Sequence, residues 1–134
     1  MSTAACSVLI VEDDEGVQEL LRHVLVEEGN EVALARDGQK MRAAFDTRNF
    51  DVAIIDVRLP GAENGMALAR EAAERGCGVV IITGDHNHSD ALARAGHRYL
   101  LKPFRVEELL EATQEVVEAI QARCSIKRGA RAKE

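Results

Sequence analysis

Five short runs rich in Val, Ile and Leu punctuate this chain, and helical spacing of apolar residues follows each of them. Val8-Leu9-Ile10-Val11 and Val79-Val80-Ile81-Ile82 are apolar at every position, so neither run has a face for water. Strands of that kind are covered on both sides, as in a parallel sheet packed between helices. The expected strands are Ser7 to Glu12, Glu31 to Ala35, Asp51 to Asp56, Gly78 to Thr83 and Arg98 to Leu101. The expected helices are Asp14 to Glu28, Gln39 to Thr47, Gly65 to Arg75, a two-turn piece from Ser89 to Ala95, and Arg105 to Arg123. In the first helix Val17, Leu20, Leu21, Val24 and Leu25 recur at spacings of three and four, and Gly29-Asn30 ends it. The alternation predicts an α/β fold, (βα)5, with a doubly wound parallel sheet and right-handed crossovers.

A length of 134 residues suits one domain, and a 46% hydrophobic content argues against disorder. No apolar run approaches the roughly 18 residues needed to span a bilayer. The start, Met1-Ser2-Thr3-Ala4-Ala5-Cys6, has no basic region of the secretory type. Three widely spaced cysteines, Cys6, Cys77 and Cys124, are an odd number with no Cys-x-x-Cys, which points to a reducing, cytoplasmic setting. The net charge is −6, but residues 123–134 alone carry five cations and one anion. An acidic body with a short basic end, no Trp and 3% aromatics disfavours direct nucleic-acid binding and membrane insertion. The expected division is a domain over 6–122 and a solvated basic tail over 123–134.

In a sheet of this class, sites form where the carboxyl ends of the strands meet the loops. The first expected strand ends in Glu12-Asp13, with Asp14 beyond it; the third ends in Asp56, the fourth in Thr83-Gly84, and the fifth in Lys102-Pro103. Each residue alone has a plain structural reading: acids before a helix cap it, an Asp before a turn closes an Asx turn, and a Lys sits at the surface. Together, four strand ends deliver polar chemistry to one rim. Crowded carboxylates repel one another, and an oxygen-only ligand set suits Mg²⁺. Asp56 is then a carboxylate nucleophile candidate, with Lys102 and the Thr83 hydroxyl placed to share phosphoryl oxygens.

These segments resemble the receiver domain of bacterial two-component response regulators. The signatures are Val8 through Asp14, Asp56-Val57-Arg58-Leu59-Pro60, Ile82-Thr83-Gly84 and Tyr99-Leu100-Leu101-Lys102-Pro103-Phe104. The resemblance covers roughly residues 6 to 122 and implies a flavodoxin-like sheet of strand order 2-1-3-4-5. It implies that Asp56 is the phosphoacceptor and that Mg²⁺ is held by Asp13, by Glu12 through water, by Asp56 and by the Arg58 carbonyl. It further implies that Lys102 pairs with Asp56, that the Lys102-Pro103 bond is cis, and that Thr83 and Tyr99 form a switch pair. Arg58, Gly84 and Asp85 fall where the family tunes access of water. The implied partners are a histidine kinase or histidine phosphotransfer protein and a downstream protein target, with homodimerisation left open. Such a switch catalyses only its own phosphorylation and dephosphorylation.

Two departures from the family pattern stand out. Gly61-Ala62-Glu63-Asn64 carries one residue more than usual, and the stretch from Thr83 to Lys102 is about one helical turn shorter. The short piece from Ser89 to Ala95 therefore predicts an unusual partner surface. His23, His86, His88 and His97 read as surface residues. The rivals are weaker. A flavin carrier needs a small, polar phosphate loop where this chain has Glu12-Asp13-Asp14-Glu15-Gly16, an aspartyl phosphatase needs Asp-x-Asp, and no P-loop motif occurs. The remaining alternative is a non-phosphorylated pseudo-receiver acting as a protein-binding module. With about a dozen residues after the family-like region, the expectation is a stand-alone receiver.

Overall fold

A computed structural model describes residues 6–57, 65–84 and 97–132, with side chains through residue 122. The strands are β1 (Ser7–Val11), β2 (Glu31–Ala35), β3 (Val52–Asp56), β4 (Gly78–Thr83) and β5 (Arg98–Leu101). They form one parallel sheet in the order β2-β1-β3-β4-β5, as expected. The described helices are α1 (Glu15–Glu27), α2 (Gly38–Thr47), α3 (Gly65–Glu74) and α4 (Val106–Ala132). The expected helix at Ser89 to Ala95 and the insertion at residues 61–64 lie outside the described residues.

Strand alternation sorts the core into two layers. Leu9, Val11, Ala53, Ile55, Val79 and Ile81 face Met41 and Phe45 of α2 and Leu68, Ala69 and Ala72 of α3. Val8, Ile10, Val52, Ile54, Val80 and Ile82 face Leu21 and Leu25 of α1 and Leu109, Ala112 and Val117 of α4. β3 and β4 are buried along their whole length and β1 from Val8 onward, which explains their apolar runs.

Local chemistry sets the helix ends. Asp14 and Asp37 cap α1 and α2, their Oδ1 atoms accepting from the amides of Val17 at 3.0 Å and Lys40 at 2.9 Å. After α1 and α3 the chain reverses through Gly29 at φ 91° and Gly76 at φ 86°, where a side chain would be strained.

Two expectations are corrected. The buried stripe of α1 is Gln18, Leu21 and Leu25, while Leu20 is 59% exposed. Leu20 and Leu21 stand about 100° apart around the helix, so both cannot point into the sheet. The second correction is the end of the last helix: α4 continues as helical backbone to Ala132, well past Arg123. Its Ala, Arg and Lys residues are strong helix formers, and cations suit the negative end of the helix dipole. Among the described residues no helix is long and apolar enough to cross a membrane.

Candidate functional site

The sheet order reverses between β1 and β3, and their carboxyl ends open a crevice there. Asp56 is the last residue of β3, paired in register with Ile82, and is only 6% exposed. Glu12 follows β1, with its amide bonded to the Ala35 carbonyl at 2.9 Å. It is 3% exposed, whereas Asp13 beside it is open to solvent. Carboxylate oxygens of Glu12, Asp13 and Asp56 all lie within 4.8 Å of one another. Asp14 is drawn off to cap α1, which separates it from this group.

Thr83 ends β4 fully buried. The Lys102 amide donates to the Thr83 carbonyl at 2.8 Å, which fixes where the lysine leaves β5. From there Lys102 Nζ donates to Asp56 Oδ2 at 3.1 Å and reaches Glu12 Oε1 at 3.5 Å. The Lys102-Pro103 peptide is cis. Tyr99 pairs in register with Ile81 and is partly buried against the core layer on the α2 and α3 side. Among the described residues nothing stands within 4 Å of where a Cβ on Gly84 would be. Arg58, Asp85, His86 and His88 lie outside the described residues.

Among the described residues one ammonium meets three acids, and the excess of anions shows in Glu12. Burial, then a hydrogen bond and charge repulsion from Asp56, push its carboxyl from 4.5 up to about 8, while Lys102 pulls the other way and Asp13 adds a smaller push. Lys102 itself is raised: burial works against its charge, but bonding and attraction to Asp56 and then Glu12 outweigh that. Glu12 Oε2 is buried with no hydrogen-bond partner among the described residues. As an ion it is an unsatisfied buried acceptor, which a proton or a hydrated cation would satisfy. The donor set is all oxygen and anionic, so it fits Mg²⁺.

A titration consequence follows. The folded value of Glu12 lies above its unfolded one, so the folded state holds the proton more tightly. That contribution to stability is whole below pH 4.5 and is lost as pH rises through about 8. Glu12→Gln should therefore stabilise the metal-free protein at pH 8 by roughly 1–3 kcal/mol, raising its melting temperature, and change little at pH 4. Far-UV circular dichroism melts at the two pH values check this; equal effects at both would exclude it.

Sequence reading missed two residues that shape the site. Gly65 opens α3 against the backbone of Asp56 and Val57. Gln18 is 6% exposed and bonds to the Glu12 carbonyl. The signal for Gln18 was present, since it stands three before Leu21 and seven before Leu25.

The sequence profile of the response regulator receiver domain matches residues 8–114. The aerobic respiration control protein ArcA of Escherichia coli is 34% identical over 106 residues, spanning 76% of this chain and 44% of that protein. The chain spans about half the length of the curated relatives it matches. Among solved structures, a CheY-like receiver domain protein from Methanospirillum hungatei superposes with a TM-score of 0.79 at 26% identity, covering 90% of this chain and 99% of that one. The receiver domain of a sensor histidine kinase from Pseudomonas aeruginosa, solved with a magnesium ion in its active site cleft, gives 0.74 at 27% identity, over 86% and 99% of the two chains.

Proposed function

The chain belongs to the response regulator receiver family, and we propose that it captures a phosphoryl group on Asp56 and passes the resulting change to a protein partner. The donor in this reading is a phosphohistidine of a histidine kinase or phosphotransfer protein. The observation that carries it is the Lys102 ammonium 3.1 Å from a buried Asp56 carboxylate, with the Glu12 and Asp13 carboxylates alongside. A carboxylate oxygen of Asp56 attacks phosphorus, the phosphorus–nitrogen bond breaks, and its electron pair stays with the departing imidazole. Asp13, Asp56 and, through water, Glu12 would hold Mg²⁺, which when bound supplies positive charge to the phosphoryl oxygens. Lys102, 3.1 Å from Asp56 Oδ2, is placed to stabilise the same charge, and burial of Asp56 keeps competing water away. Thr83, one residue past the partner of Asp56 on the neighbouring strand, offers its hydroxyl to a phosphoryl oxygen. Tyr99 then moves into the room that Thr83 leaves, a local charge event biasing a two-state element.

The test is intact mass spectrometry after exposure to a small acyl phosphate, with and without Mg²⁺, followed by peptide mapping. The expected result is one added phosphoryl group on Asp56 that requires Mg²⁺. No added mass on folded protein would leave the chain a protein-binding module. Lys102→Ala should keep part of the labelling, yet lose the phosphorylation-dependent change in amide exchange across β4 and β5. A wild-type exchange response in that variant would remove Lys102 from the switch.

A further inference from the structure

The amide of Gln18 closes a gap in the β1–β2 ladder just where the acidic pair begins. In a parallel pair, a residue whose amide bonds to one neighbour also offers its carbonyl to that neighbour, two residues further on. Glu12 gives its amide to the Ala35 carbonyl at 2.9 Å, so its own carbonyl calls for the amide of Asp37. That rung does not form, because β2 ends at Ala35 and Asp37 has turned away to cap α2. Gln18 fills the place: its Nε2 donates to the Glu12 carbonyl at 2.5 Å and contacts the Ala35 carbonyl at 3.4 Å. The side chain is 6% exposed and anchored in the first turns of α1 between the capping Asp14 and the buried Leu21.

We infer that Gln18 is a positioning residue for the acidic pair: by holding the Glu12 carbonyl, it fixes the Glu12–Asp13 peptide and so the direction in which Asp13 presents its carboxylate to a divalent cation. This rests on the reading of the site given above. The carbonyl it holds belongs to the same peptide unit that starts Asp13, so rotation of that peptide swings the exposed acid directly. Without a donor, the Glu12 carbonyl is buried and unpaired, and the peptide gains by turning towards water. Groups that orient metal ligands without touching the metal typically change affinity by about 10–100-fold.

The test compares wild type, Gln18→Met, Gln18→Leu and Leu25→Ala. Each is titrated with Mg²⁺ by calorimetry at a temperature where it is folded, and each is labelled with an acyl phosphate over a range of Mg²⁺. Methionine keeps the length of the side chain and loses its donor; leucine gives a second donor-free variant should the first not fold. Leu25→Ala removes buried packing from the same helix, away from the acids. The expected result is about tenfold weaker Mg²⁺ binding in the Gln18 variants, with labelling at saturating Mg²⁺ within about twofold of wild type. Leu25→Ala should melt earlier with its Mg²⁺ affinity unchanged. Folded Gln18 variants with wild-type Mg²⁺ affinity would overturn the inference while leaving labelling of Asp56 intact. A wild-type protein that binds no Mg²⁺ would instead overturn the reading of the site itself.

Discussion

Asp56→Asn should abolish phosphoryl capture, with no added mass at residue 56 under conditions that label the wild-type protein fully. The substitution keeps shape and removes only the nucleophile, since an amide oxygen has no anionic lone pair to offer phosphorus. The loss should reach at least about a hundredfold, because general positioning by Lys102 and the remaining acids has no reacting atom left to act on. Unfolding cannot be the cause. Asp56 is one of the groups that hold the Glu12 carboxyl up near pH 8, so neutralising it relieves charge in a buried cluster. The variant should melt as high as wild type at pH 8, or about 3–5 °C higher. Equal labelling of the variant at another carboxylate would move the acceptor elsewhere on the rim and end the assignment.

The second large effect is on the fold. Gly65→Ala should cost about 3 kcal/mol or more and lower the melting temperature by roughly 10 °C. A Cβ on Gly65 would stand 2.5 Å from the Val57 Cα and closer still to the Asp56 carbonyl oxygen. Both obstacles are backbone, so no rotamer change relieves them. Either α3 retreats from the sheet, or the end of β3 moves and carries Asp56 with it. The folded fraction of this variant should therefore also label slowly, a defect that a remote destabilising change would not produce. Gly84→Ala is the matched control, because among the described residues nothing lies within 4 Å of the Cβ it would add. With no Trp in the chain, far-UV circular dichroism is the natural probe. A Gly65→Ala melt within 2 °C of wild type would refute the close approach.

The strands and the acids were legible in the sequence because both depend on short-range patterns. A buried parallel strand must be apolar throughout, and Val8 to Val11 and Val79 to Ile82 can be little else. The first polar residue after such a run marks the strand end, which is how Glu12, Asp56 and Thr83 came to light. What the sequence hid depends on distant geometry. Whether Leu20 or Leu21 faces inward is decided by where the sheet lies, not by the helix repeat. Gln18 continues the face of Leu21 and Leu25, but its task is hidden until β2 is seen to stop one rung short of the partner that Glu12 needs. Gly65 resembles any helix-starting glycine until α3 is packed on β3. The length of α4 was hidden for a different reason: its apolar stripe gives out near Ile120, while helical propensity carries the backbone on.

That continuation makes α4 a lever. A helix of 27 residues is about 40 Å long, and its inner half rests on β4 and β5, the strands that bear Thr83 and Tyr99 and lead into Lys102. Ala132 stands roughly 18 Å further along the axis than Ile120, so a tilt of about 10° pivoting at Ile120 sweeps the far end through about 3 Å. A rotation at the sheet is thus read out at the tip as a displacement that grows with distance from the pivot.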